Sequence, residues 1–318
     1  MFLSRVQLFI SIIITHIILP ILLIAGLFVF GRSSLIGAIV SIFFVGNLIF
    51  LLFKIGSWEF TWYYGRYLFG LAFIVISFVM FILLKTQKIY SSNMVLDIAV
   101  LIVSLIVMYL NINALRASVK PKACLNLEFP FKNGKYVITD GGDGKISSLL
   151  NYHNKAQVHK KGQTNSSMRF ATDIVKLNKN GFAVRNVLKN DNAQYEIFHE
   201  KVFSPCEAIV VKVVDGIENN APFSRDYPYN VGNSVVLKKD NYYIVMGHME
   251  KGSIVVSEGQ KVNAGQLLGI IGNSGLTPKP HLHMQVSKCE EGFYWGGEGI
   301  PIFFDDIYYP IKNKVIKS

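Results

Sequence analysis

Four apolar runs fill the first 110 residues and limit what the rest of the chain can be: 6–30, 35–53, 67–84 and 95–110. A helix needs about 20 apolar residues to cross the hydrocarbon core of a bilayer. The spacing therefore predicts a bundle of about four transmembrane α-helices over residues 1–112. The fourth run is short, and Asp97 near its start is expected at headgroup level. The first run is too long in its apolar core for a cleavable signal, and no small-x-small site follows it, so it reads as a retained anchor. "KPKAC" before Leu125 lacks the small apolar lead-in of a lipidation site.

Between the second and third runs, "SWEFTWYYGRY" is rich in Trp and Tyr, rings that favour the membrane–water boundary. His16 and Pro20 interrupt the first run, and intramembrane ionisable groups often belong to a polar pathway. One histidine in otherwise apolar helices carries little of that reading, and an anchor, with a face for a protein partner, is the simpler role. Four crossings put both ends of the bundle on one side. Arg32, Lys85 and Lys88 fall in the loops of the opposite side, whereas Arg5, Lys54, Arg66, Arg116, Lys120 and Lys122 fall on the side of the C-terminal region. Counted alone, these cations would put that region in the cytoplasm.

Of the 21 acidic residues only Glu59 and Asp97 precede Arg116. Residues 117–318 carry 25 basic and 19 acidic residues, scattered rather than clustered, which describes a solvated surface and not a nucleic-acid interface. Cys124, Cys206 and Cys289 are too few and too far apart for a disulfide framework or a thiolate metal site. Residues 113–134 read as a polar linker. From residue 135 to 318 the chain breaks into short β-rich runs separated by Gly, Asn and Asp, among them "FATDIVKL", "AIVVKVVDG", "NSVVLKK", "YYIVMGH", "LLGIIG" and "HLHMQV". Such a pattern predicts an all-β domain, an antiparallel sandwich or open barrel. The hairpin "VVSEGQKVNAGQLLGIIG" also has the outline of a lipoyl or biotinyl carrier, but Lys261 lacks the setting of a modifiable lysine.

Six of the seven histidines lie in this region. In "KPHLHMQV" the period of two puts His281 and His283 on one face of a strand and Leu282 and Met284 on the other. One histidine on a sheet is ordinarily a hydrogen-bonded core residue. Two neighbouring imidazoles gain little from packing and cannot both be protonated cheaply, a conflict that a zinc ion relieves by taking neutral imidazole. His248 ends another β run, and Asp173 is an acid in an apolar strand, costly to bury without a cation. Two histidines and one carboxylate form a common catalytic zinc set.

Residues 232–286, from "GNSVVL" through the lone His248, the hairpin, "GNSG" and "PHLH", resemble the core of lysostaphin-like, LytM-type zinc metallopeptidases, and the resemblance extends over about residues 135–310. It implies an all-β peptidase fold, zinc as cofactor and peptides of bacterial peptidoglycan as substrate. By position it implies Asp173 and His283 as zinc ligands, and His248 and His281 as the residues flanking the water that attacks. The family's upstream motif is His-x-x-x-Asp, and the place four before Asp173 holds Arg169, which is no metal ligand. His153 in "LLNYHN" and His159 in "AQVHKKG" are the replacements within reach, with His153 preferred because two lysines follow His159. The expected protein is a multi-pass membrane zinc endopeptidase whose peptidase domain faces the wall outside the cell, in conflict with the cation count. The alternative is a degenerate relative that binds wall or regulates another hydrolase.

Overall fold

The computed structural model describes residues 5–30, 34–84, 93–155, 157–158, 163–164, 166–224, 230–294 and 296–318. It divides near residue 117 into a helical unit and a β unit.

In the helical unit α1 (Arg5–Ile13) passes through a π turn, Ile14–Ile18, into α2 (Leu19–Phe30). Then come α3 (Leu35–Ile55), α4 (Gly65–Leu84) and α5 (Met94–Ala117). Among the described residues this makes four helical spans of 20 to 24 residues, long and apolar enough to cross a membrane. Ser34 starts α3 by accepting the Gly37 N–H at 2.9 Å, a side-chain cap. Leu27, Ala38, Val45, Ile49 and Met80 form the packed seam of α2, α3 and α4. Asn111 of α5 donates to the Asn47 carbonyl of α3 at 3.0 Å. The outward stripe of α4, Leu71, Ile74 and Phe78, is more than half exposed. A surface so apolar suits lipid, not water. His16 lies buried in the π turn, edge-on to Trp58 at 4.8 Å.

Residues 113–134, expected as a linker, divide in two. Residues 113–117 complete α5, whereas Leu125–Leu127 pairs in parallel with Ile302–Phe304. Phe129 and Phe131 that follow are buried among Tyr136 and Phe304. The alternating apolar residues of "LNLEFPF" have a core to enter, so they leave the solvent.

The β unit is built on one sheet: β1 (Lys135–Asp140), β2 (Thr172–Leu177), β3 (Ala208–Val214), β4 (Asn233–Lys239), β5 (Tyr242–Met249), β6 (Lys261–Val262), β7 (Leu282–Lys288), β8 (Glu298–Gly299) and β9 (Val315–Lys317). The spatial order is β6-β3-β4-β5-β7-β2-β1-β9, with β8 added to the end of β7, and every pairing is antiparallel. β7 is central, and its residues from Leu282 to Ser287 are all buried. Leu282 and Met284 enter the apolar core with Ile138, Ile174, Leu237 and Met246 on one side. The polar residues His283 and Gln285 therefore need partners on the other side, because a buried polar group without one is costly.

Candidate metal and catalytic site

Sheet register sets the first contacts. His283 of β7 pairs with Asp173 of β2 on one flank and with Gly247 of β5 on the other. Nδ1 of His283 lies 3.1 Å from Asp173 Oδ1. Pro280 ends the preceding turn, so His281 sits just outside β7 and is free of the ladder. Its Nε2 still comes within 3.3 Å of Asp173 Oδ2.

His248 is aimed by an irregularity. The β4–β5 register shifts between Asn233 and Val235, and His248 takes a left-handed backbone, φ 64°. Bulges of this kind re-aim a side chain, and a non-glycine residue held there stores about 1–2 kcal/mol. The preceding Gly247 cannot carry a side chain, because a Cβ would lie 2.2 Å from Val231 Cγ2. The His248 ring ends 4.6 Å from that of His281 and 5.9 Å from that of His283, between centroids.

His153 comes from outside the sheet, on the short 3-10 turn Tyr152–Lys155. Its Nε2 is 3.3 Å from Asp173 Oδ1, and its ring is 4.8 Å from that of His283. Arg169, at the position four before Asp173, points into a bidentate pair with Asp143, at 2.8 and 2.6 Å, away from these groups. His159 lies outside the described residues.

The four imidazoles share one arrangement. Each commits one ring nitrogen to an oxygen outside the cluster: His153 Nδ1 to Asn151 Oδ1 at 3.0 Å, His283 Nε2 to Gln285 Oε1 at 3.1 Å, His281 Nδ1 to the Lys279 carbonyl at 2.8 Å, and His248 Nδ1 to the Ser274 carbonyl at 2.8 Å. A carbonyl oxygen only accepts, so those nitrogens carry the proton. In the neutral ring the other nitrogen then holds a lone pair. For His153, His281 and His283 that nitrogen faces the carboxylate of Asp173. Lone pairs converging on an anion repel unless protons or a metal ion lie between them.

His153, Asp173 and His283 offer ligand atoms that all lie within 4.8 Å of one another. Zinc takes nitrogen and oxygen donors of these kinds at about 2.0–2.2 Å. The donors, two neutral imidazoles and a carboxylate, are those that zinc takes in catalytic sites, and the outer hydrogen bonds fix the tautomers that binding requires.

Without an ion, protons take up the tension. Burial opposes charge on both His153 and Asp173, yet each stabilises the other's charge. The His153 value is raised and the Asp173 value falls well below the usual carboxylate range, with His281 adding to the latter. His248 goes the other way. Burial, and then the charges of His281 and His283, push it well below its ordinary value, so it stays neutral. His283 is lowered as well, by burial first.

The four residues Asn151, Gln285, Ser274 and Lys279 that orient the rings were not singled out from sequence. Only Gln285 had a local signal, two places after His283 on the same strand face.

Comparison with known proteins adds the family context. Residues 197–294 match the model of Peptidase family M23, a span that holds His248, His281 and His283 but stops short of His153 and Asp173. A 63-residue stretch, 20% of this chain, is 40% identical to the Peptidoglycan DD-endopeptidase ShyA of Vibrio cholerae serotype O1, and spans 14% of that protein's length. Among solved structures, a zinc containing peptidase from Vibrio cholerae is 22% identical, with 50% of this chain and 37% of that one covered and a TM-score of 0.28. The catalytic domain of the antimicrobial peptidase lysostaphin from Staphylococcus simulans is 17% identical, with 42% and 76% covered and a TM-score of 0.25.

Proposed function

We propose that this chain, which carries a Peptidase family M23 domain, is a membrane-anchored zinc endopeptidase acting on the peptides of bacterial peptidoglycan. The observation that carries the reading is the convergence of three imidazole nitrogens on one partly buried carboxylate, each ring locked from outside. In this reading His153, Asp173 and His283 hold the ion. Zinc bound there would lower the pKa of a water molecule and polarise the scissile carbonyl. His248, kept neutral, accepts the proton that the attacking water gives up, and passes it to the leaving amide nitrogen as the C–N bond breaks. His281 turns its Nε2 lone pair to the same space, where it accepts a hydrogen bond from the water and so orients it for attack. The peptidoglycan substrate is taken from the activity named for the Vibrio cholerae relative, matched here over 63 residues.

The four apolar spans serve as the anchor in the lipid bilayer. A wall substrate requires the β unit outside the cell, against the count of cations near the spans. Protease protection in intact and opened cells decides this: digestion of the β unit in intact cells is expected, and protection until the cells are opened would sink the outward orientation.

Arg169 in place of the family's usual first histidine favours one alternative, a silent relative that binds wall or regulates a hydrolase. Zinc content and peptidoglycan digestion by the full chain in detergent separate the two. One zinc per chain and release of cleaved peptides are expected. No zinc after loading, with wall binding retained, would leave the silent module.

A further inference from the structure

Asn151 stands two residues before His153 and has no exposed surface. Its Nδ2 donates to the carbonyls of Gly142 and Ala171, both at 2.9 Å, and of Arg169 at 3.2 Å. With three acceptors around that end of the amide, the other end is necessarily the oxygen. Oδ1 accepts from the His153 backbone N–H at 3.2 Å and from its Nδ1–H at 3.0 Å. Resting on the zinc-peptidase reading, we propose that Asn151 is the positioning residue for His153: it sets the ring's tautomer and holds Nε2 against Asp173.

The need for such a residue follows from where His153 lies. Asp173 and His283 are placed by paired strands, but His153 sits on a 3-10 turn of four residues, twenty positions from Asp173, with no ladder to hold it. Asn151 supplies the missing register. Ala171 precedes Asp173 by two residues, and Gly142 follows by two the Asp140 that pairs with Asp173. One side chain therefore ties the turn to the end of β2, which carries the carboxylate, and to the end of β1, which pairs with it. Asp140 Oδ1 adds a second tie, accepting the Tyr152 N–H at 3.2 Å. Outer groups that orient a ligating histidine in this way are worth about 10–100-fold in metal affinity.

The two ends of the amide do different work, and substitution can part them. The experiment uses the full chain in detergent, with zinc affinity read by competition with a chromophoric chelator. Selective 15N labelling of the seven histidines reads the His153 tautomer by NMR in the metal-free protein, at a pH high enough to leave that ring neutral. Asn151→Ala is expected to weaken zinc about 10–100-fold and to turn His153 into a mixture of tautomers. Asn151→Asp gives up the three donated bonds but keeps an acceptor for Nδ1–H. It is expected to lower Tm while holding the tautomer and leaving zinc affinity near wild type. A folded Asn151→Ala with unchanged affinity and tautomer would overturn the proposal, as would loss of affinity in a folded Asn151→Asp. Failure of wild type itself to take up zinc overturns the underlying reading instead, and is told apart because it needs no substitution.

Discussion

The two sides of the histidine cluster differ in what surrounds them. On the side of Asp173, a partly buried carboxylate pulls His153 towards charge and is itself held ionised by it. On the side of His248, burial and neighbouring imidazoles hold the ring neutral. The first environment suits a cation that stays, and the second suits a proton that comes and goes. One sheet supplies both because the central strand β7 borders β2, with its acid, on one edge and the bulged end of β5 on the other.

The sharpest way to break this contrast is to remove its anionic side. Asp173→Ala or His283→Ala should abolish zinc retention and reduce peptide hydrolysis to background, and a chelator applied to wild type should do the same until zinc is restored. Retained zinc in either variant, measured by metal analysis, would rule that residue out as a ligand. Removing the other side should separate binding from turnover. His248→Ala is expected to keep one zinc per chain while kcat falls about 10²–10⁴-fold, the usual contribution of a positioned acid or base.

Acid should act on the two sides in different ways. Zinc must displace the proton of His153, whose value in the metal-free chain is raised above 6.5. Apparent zinc affinity should therefore decline from a pH above 6.5 downward, by about tenfold per unit for one displaced proton, with proton release measurable by calorimetry in buffers of different ionisation heat. For His248 the folded value lies below the unfolded 6.5. The unfolded chain then binds the extra proton as pH falls below 6.5, so this residue makes the metal-free β unit less stable in acid. The fall in Tm between pH 7 and 5 should be shallower in His248→Ala, and an equal slope would refute the neutral assignment. The smallest effect on zinc is expected outside the cluster. Arg169 is one third exposed but pairs with the buried carboxylate of Asp143, so Arg169→Ala should lower Tm by leaving that charge without its partner and leave zinc affinity unchanged.

How much of this was legible depended on the range of the interaction involved. The helical spans could be read from composition alone, because the length of an apolar run is a local property. β7 likewise declared its two faces by alternation, and the resemblance around "PHLH" pointed to His248, His281, His283 and Asp173. The first imidazole beside Asp173 had to be chosen between His153 and His159, since a turn twenty residues away leaves no periodic trace. The partners Asn151, Gln285 and the carbonyls of Ser274 and Lys279 act through geometry that only the folded sheet creates. Residues 125–131 misled in the other direction. Polar neighbours made them look like tether, whereas Leu127, Phe129 and Phe131 had a core to fill.

The backbone of His248 has a practical consequence for capturing substrate. Its left-handed φ means that a replacement is judged by two tests at once, lost chemistry and tolerance of that conformation. Valine or isoleucine there would add a folding defect to the lost proton acceptor, and such an allele would look like a null for the wrong reason. Asparagine or glycine accept the conformation most readily. If the proposed function holds, a bait protein meant to grip its substrate without cutting it is therefore best made as His248→Asn or His248→Gly.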